Sequence, residues 1–137
     1  MSTNYYAVLG KPSTCEHCGH MEKPRELHIG KSSIGWTFAL HIEPDDPTHP
    51  QTWAEWLDLL NRDGVSIENE YGEPITIEAM TAAVTMRSHF RDREPSTEWL
   101  ERNSAIPGPN NLARRKIGRF AVAHGDGPWD LCVGHFR

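Results

Sequence analysis

The chain has 137 residues, 37% of them hydrophobic, with 11 Gly, 10 Pro and a net charge of −5. That length suits one domain able to bury its own core, and the composition is that of a turn-rich globule rather than a disordered chain. No apolar run approaches the length needed to cross a bilayer, nothing near the start reads as a signal peptide, and three cysteines are too few for an extracellular disulfide framework, so a soluble protein in a reducing cytoplasm is expected.

Charge is unevenly spread. Residues 1–100 carry sixteen acids against eight bases, a balance of −8, whereas residues 101–137 carry three acids against six bases, or +3. Most of the surface should therefore repel a nucleic-acid backbone, and only the last part can attract one.

Tyr5-Tyr6-Ala7-Val8-Leu9 reads as a first strand, ended by Gly10 and Pro12. Cys15-Glu16-His17-Cys18 follows, with Gly19 directly behind. Two thiolates two residues apart on a small turn suit one tetrahedral zinc ion. His28 and His41 each fall in a predicted strand, with Ser32-Ser33-Ile34-Gly35 as the loop between them. If those strands pair, Cys15, Cys18, His28 and His41 form a closed Cys2His2 set. His17 and His20 compete for the last positions, as do His124, Cys132 and His135 from the far end. A redox pair or free thiols are the other readings of this spacing, but the redox motif normally opens a helix after a strand. In the second strand Trp36, Phe38, Leu40 and Ile42 alternate with Thr37, Ala39 and His41, so the large apolar side chains share one face and His41 points to the other.

Gly30-Lys31-Ser32 resembles the end of a phosphate-binding loop, but Arg25 stands where that motif needs its first glycine, and a strand rather than a helix follows. A hairpin loop eased by Gly30 and Gly35 is expected, with Lys31 kept as a candidate anion or partner contact.

A solvated loop over 43–48 leads to a first helix, predicted to begin near Pro50 with Thr48 or His49 as cap and to stop at Gly64. Its stripe of Trp53, Trp56, Leu57 and Leu60 is assigned to the core. Val65 to Glu70 reads as a strand with Glu68 and Glu70 outward, and a second helix is predicted over 77–91 with Met80 and Val84 inward. Ser96 or Thr97 caps a short third helix. After Pro107-Gly108-Pro109 comes a basic segment, Arg114, Arg115, Lys116 and Arg119, and then a terminal hairpin of 120–123 with 129–133 around Gly125-Asp126-Gly127.

Thr3-Asn4-Tyr5-Tyr6, the CxxC pair, His28-Ile29-Gly30-Lys31-Ser32-Ser33 with Gly35-Trp36, and Glu70-Tyr71-Gly72 together resemble a family of small proteins encoded by tailed phages and prophages. The resemblance covers about the first two thirds of the chain and implies a viral accessory protein without naming an activity.

The expected architecture is a single α+β domain over 1–137: a small antiparallel sheet carrying a zinc knuckle and covered by two or three helices. Its parts are the knuckle and hairpin (13–43), a layer of helices and strand (48–103), and the basic connector with its terminal hairpin (104–137). The expected function is non-enzymatic binding of a host or phage protein by a zinc-stabilised module. Two alternatives are nucleic-acid binding through residues 114–119 and a zinc hydrolase with Glu26, Glu68 or Glu70 as base. No membrane association is expected.

Overall fold

A computed structural model describes residues 2–10, 13–14, 21–22, 25–33, 36–86, 96–107, 112–114, 120–134 and 136. Alternating, β-branched and aromatic sequence gives β1 (Ser2–Leu9), β4 (Arg25–Ser33) and β5 (Phe38–His41), with two-residue strands β2 (Ser13–Thr14) and β3 (Met21–Glu22) between β1 and β4. Helix α1 (Trp53–Leu60), strand β6 (Val65–Asn69) and helix α2 (Ile77–Thr85) follow. The last part holds α3 (Thr97–Arg102), β7 (Ala105–Pro107), β8 (Leu112–Arg114), β9 (Ala121–His124) and β10 (Trp129–Cys132).

Six strands form one sheet in the order β6-β1-β4-β5-β10-β9. The α+β class agrees with the sequence reading, but the sheet is larger than expected and not wholly antiparallel. β10 lies parallel to β5, with Trp129 beside Phe38 and Cys132 beside His41. A parallel neighbour needs a long crossover, and the helices and strands between β5 and β10 supply one. The terminal hairpin forms as expected, β9 pairing antiparallel with β10. Among the described residues no helix is long and apolar enough to cross a membrane.

One face of the sheet is closed by the helices. Trp53, Trp56 and Leu60 of α1 and Met80 and Val84 of α2 pack with Ala7, Ile29, Phe38, Leu40, Ile67 and Trp129. The opposite face carries a smaller cluster of Ala39, Ala121, Cys132 and Phe136, with Phe120 against it. β5 is therefore covered on both sides, and Thr37, Phe38, Ala39 and Leu40 are all buried. Trp36, expected to share a face with Phe38 and Leu40, lies beside Trp99 of α3, with ring centroids 6.5 Å apart. The strand proper begins only at Phe38.

The helix ends also differ from the expected ones. Thr52 caps α1, accepting the Glu55 N–H, whereas Thr48 donates its hydroxyl and N–H to Asp46 in the turn before the helix. The helix ends at Leu60, short of Gly64, where Asn61 returns its side chain to the Leu57 carbonyl. Helix α2 closes at Thr85 with Met86 as its C-cap, and residues 87–91 of its expected span lie outside the described residues. Ser96 caps α3 as anticipated.

The stretch expected to be a hairpin loop at Gly30-Lys31-Ser32-Ser33 is strand. It pairs with Tyr5, Asn4, Thr3 and Ser2 on one side, and Gly30 and Lys31 pair with Leu40 and Ala39 on the other. The register with β1 shifts between Tyr5 and Tyr6, which partner Gly30 and His28, so Ile29 is the extra residue of a bulge. Glycine is required at position 30 by proximity: a Cβ there would stand 2.2 Å from the Ala39 carbonyl oxygen and 2.5 Å from the Phe38 ring. Gly30→Ala should therefore force β4 and β5 apart and lose about 1–3 kcal/mol of stability, read from the midpoint of urea unfolding. A variant as stable as the parent would show that the two strands tolerate the extra methyl.

Candidate functional site

The bulge and the register of β4 against β5 bring His28 and His41 together, with ring centroids 5.2 Å apart. Both belong to a larger aromatic group. His49 lies 5.1 Å from His41 and edge-on to Trp56 at 5.4 Å, while Phe136 lies 5.0 Å from His28 and 5.2 Å from His41. Tyr6 stands 5.4 Å from His28.

Hydrogen bonds fix each ring. His28 Nε2 donates to Asn4 Oδ1 at 2.9 Å, so Nδ1 carries the lone pair of the neutral ring. His41 Nδ1 donates to the His28 carbonyl at 3.0 Å, and its Nε2 lies 2.6 Å from Glu43 Oε1. A carbonyl oxygen only accepts, so Nδ1 carries the proton of the neutral ring, and Nε2 and Glu43 share a hydrogen bond when a further proton lies between them. The Glu43 carboxylate also takes the Gly134 N–H at 3.4 Å, tying the segment after β10 to the loop after β5. Trp56 Nε1 donates to the His41 carbonyl at 2.8 Å, anchoring α1 to the same residue.

Burial pulls the His41 imidazolium below its ordinary value of 6.5, with the Glu43 hydrogen bond pulling the other way. That same bond is the main cause holding the Glu43 carboxyl below its ordinary 4.5.

The proposed zinc ligands are thus half visible. The cysteines Cys15 and Cys18 lie outside the described residues, within the segment between Thr14 and Met21, which pair with each other. His28 and His41 are neighbours as the sequence suggested. A metal on His41 would need the nitrogen that now faces Glu43, because the other is committed to the His28 carbonyl. Among the rivals, Cys132 sits beside His41 in the parallel ladder, whereas His17, His20 and His135 lie outside the described residues. Among the described residues no group of three or more His, Cys, Asp or Glu side chains is arranged to hold a metal ion.

The other candidates are dispersed. Lys31 sits in β4 opposite Asn4 and Ala39. Arg114 falls in β8, and Arg115, Lys116 and Arg119 lie outside the described residues. Glu26, Glu68 and Glu70 share an open hollow of about 350 Å³ with Tyr6 and Asn69. Glu70 Oε1 there accepts the Asn4 N–H at 3.0 Å, so this carboxylate braces the residue that orients His28.

Three features escaped the sequence reading. Glu43 was assigned to a solvated loop, yet it is the acid that holds His41. Asp130, 1% exposed, accepts from Thr37 Oγ1 at 3.1 Å and from His124 Nδ1 at 2.7 Å. His49, 9% exposed, lines a groove of about 400 Å³ between α1, the 46–50 turn and the Leu9–Arg25 end of the β1–β4 ladder. The signals were an acid two residues after His41, an acid inside the apolar run Trp129-Asp130-Leu131-Cys132, and a histidine directly before Pro50.

Two outcomes test this network. Trp56→Phe keeps the buried ring but removes the bond to His41, and should cost about 1 kcal/mol in chemical denaturation. For pH, both folded-state values are depressed: neutral His41 and ionised Glu43 stabilise the fold above their ordinary values, and that stabilisation is lost as pH falls through the folded ones. The melting temperature should fall from about pH 6 toward about pH 4, and Glu43→Gln should flatten the lower part of that curve. Parallel curves for parent and variant would remove Glu43 from the acid response.

No family model, no curated protein and no solved structure matches the chain. A functional reading therefore rests on the residues themselves.

Proposed function

We propose that the chain is a phage-type accessory protein that binds a host or viral protein in the host cytoplasm without catalysing a reaction, stabilised by zinc on Cys15 and Cys18 with His28 and His41 completing the set. The observation that carries the reading is the groove at the Leu9–Arg25 end of the β1–β4 ladder, lined by Leu9, Arg25 and Leu27 from the strands and by Leu59 and Arg62 from the α1 side. Leucines, arginines and the acids Asp46, Glu55 and Asp58 share its lining, a mixture that a polar protein segment can complement. It also adjoins the stretch between Leu9 and Arg25 that contains both cysteines, so a metal there would rigidify one wall of the groove. The adjacency of His28 and His41 supports the choice of the last two ligands.

Elemental analysis of the purified protein and of Cys15→Ser, His28→Ala and His41→Ala tests the metal. One equivalent of zinc in the parent, lost in each variant, is expected; a parent without zinc ends the metal part of the proposal. Affinity capture from infected and uninfected bacterial lysates tests the binding part, with one stoichiometric protein partner expected. Recovery of none from either lysate would overturn it.

A further inference from the structure

Trp129 opens β10 with its indole among the core residues on the helix side of the sheet, and it is 8% exposed. Its Nε1 is closed to solvent and is the one buried side-chain polar atom without a hydrogen-bond partner among the described residues. Trp56 gives the contrast: it is also buried, but it donates its Nε1 to the His41 carbonyl at 2.8 Å.

The turn between β9 and β10 covers the Trp129 N–H. A Cβ at Gly125 would stand 2.2 Å from Nε1 and 2.4 Å from Cδ1, and one at Gly127 would stand 2.2 Å from Cζ3 and 2.4 Å from Cη2. The two glycines therefore press on opposite ends of the indole, and Gly125-Asp126-Gly127 crosses it as a strap. Neither glycine can be replaced by a residue with a side chain while the strap is down.

Little holds it there. The Gly125 N–H donates to the Trp129 carbonyl, and the Trp129 N–H donates to the Gly127 carbonyl, each at 2.8 Å. The second bond closes a three-residue γ-turn about Pro128, a ring too small for good hydrogen-bond geometry. Asp126 at the tip is exposed. When the strap lifts, water replaces both backbone bonds, and the indole N–H, dry and unmet when the strap is down, gains a bond it lacked.

We propose that the 125–127 turn is a strap with a low-lying open state, in which it rises from Trp129 and gives the indole N–H to solvent while the sheet and the helix-side core stay folded. The opening is local because it breaks two turn bonds and leaves the pairing of His124 with Asp130 and of Ala123 with Leu131 in place.

Hydrogen exchange of the indole N–H groups tests this on the full-length, ¹⁵N-labelled protein, with the two signals assigned from the Trp129→Phe and Trp56→Phe spectra. The Trp129 proton should exchange roughly tenfold faster than the Trp56 proton, or more, while the backbone amides of β5 stay protected. Gly125→Ala and Gly127→Ala, each setting a methyl where the indole lies, should raise the Trp129 rate further severalfold and leave Trp56 at its parent rate. Equal exchange of the two indoles in the parent would overturn the inference, as would a Trp129 rate that neither substitution raises. Release of Trp56 in step with Trp129 in both variants would make the opening global and would sink the strap as well.

Discussion

The fold converges on His41. Its carbonyl holds the indole of Trp56, its Nδ1 holds the carbonyl of His28, and its Nε2 holds Glu43, which in turn holds Gly134. One residue at the end of β5 thus joins the first helix, the first long hairpin and the segment that follows β10. Each of these bonds lies in a partly buried setting, where an unmet donor or acceptor costs more than a met one contributes. The rings around it, Phe136, His28 and His49, exclude the water that would otherwise substitute for the missing partners.

This junction explains why the sheet is covered on both faces with so few residues. The helices bury large side chains against Phe38 and Leu40, and the reverse face needs only the small cluster of Ala39, Ala121, Cys132 and Phe136. Polar pairs take the place of apolar bulk there: Asp130 with Thr37 and His124, and His41 with Glu43. Half-buried pairs of this kind contribute little net stability, but removal of the exposed member leaves Asp130 or His41 without its bond, so they define which strands meet more than how tightly.

What was legible in the sequence follows from period. The helical spacing of Trp53, Trp56 and Leu60 and the alternation from Phe38 to Ile42 are local patterns, and both elements, including the face of His41, emerged from them. The α1 cap differs from the expected one because Thr48 and Thr52 are alike in sequence, and only the start of the helix at Trp53, with Thr48 held in a turn on Asp46, distinguishes them. Alternation says nothing about which strand lies alongside or in which direction it runs, so the parallel pairing of β10 with β5 was out of reach. Glu43 and Asp130 were hidden for opposite reasons, one by polar neighbours that suggested solvent and the other by apolar neighbours that suggested an ordinary strand. His28 and His41 were paired correctly as neighbours, whereas the groove around His49 depends on three separated segments meeting and leaves no local trace.

The parallel pairing carries a consequence for how the protein is made. β5 lies in the middle of the sheet, yet its neighbour on one side is β10, which emerges from the ribosome only after both major helices and β9. Until then the newly synthesised chain presents the edge of β5, an apolar strand with unpaired backbone groups, to its surroundings. Closure waits for contacts between distant parts of the chain, the slow kind. A pause in translation before residue 129 would prolong that exposure, because only β10 covers this edge of β5.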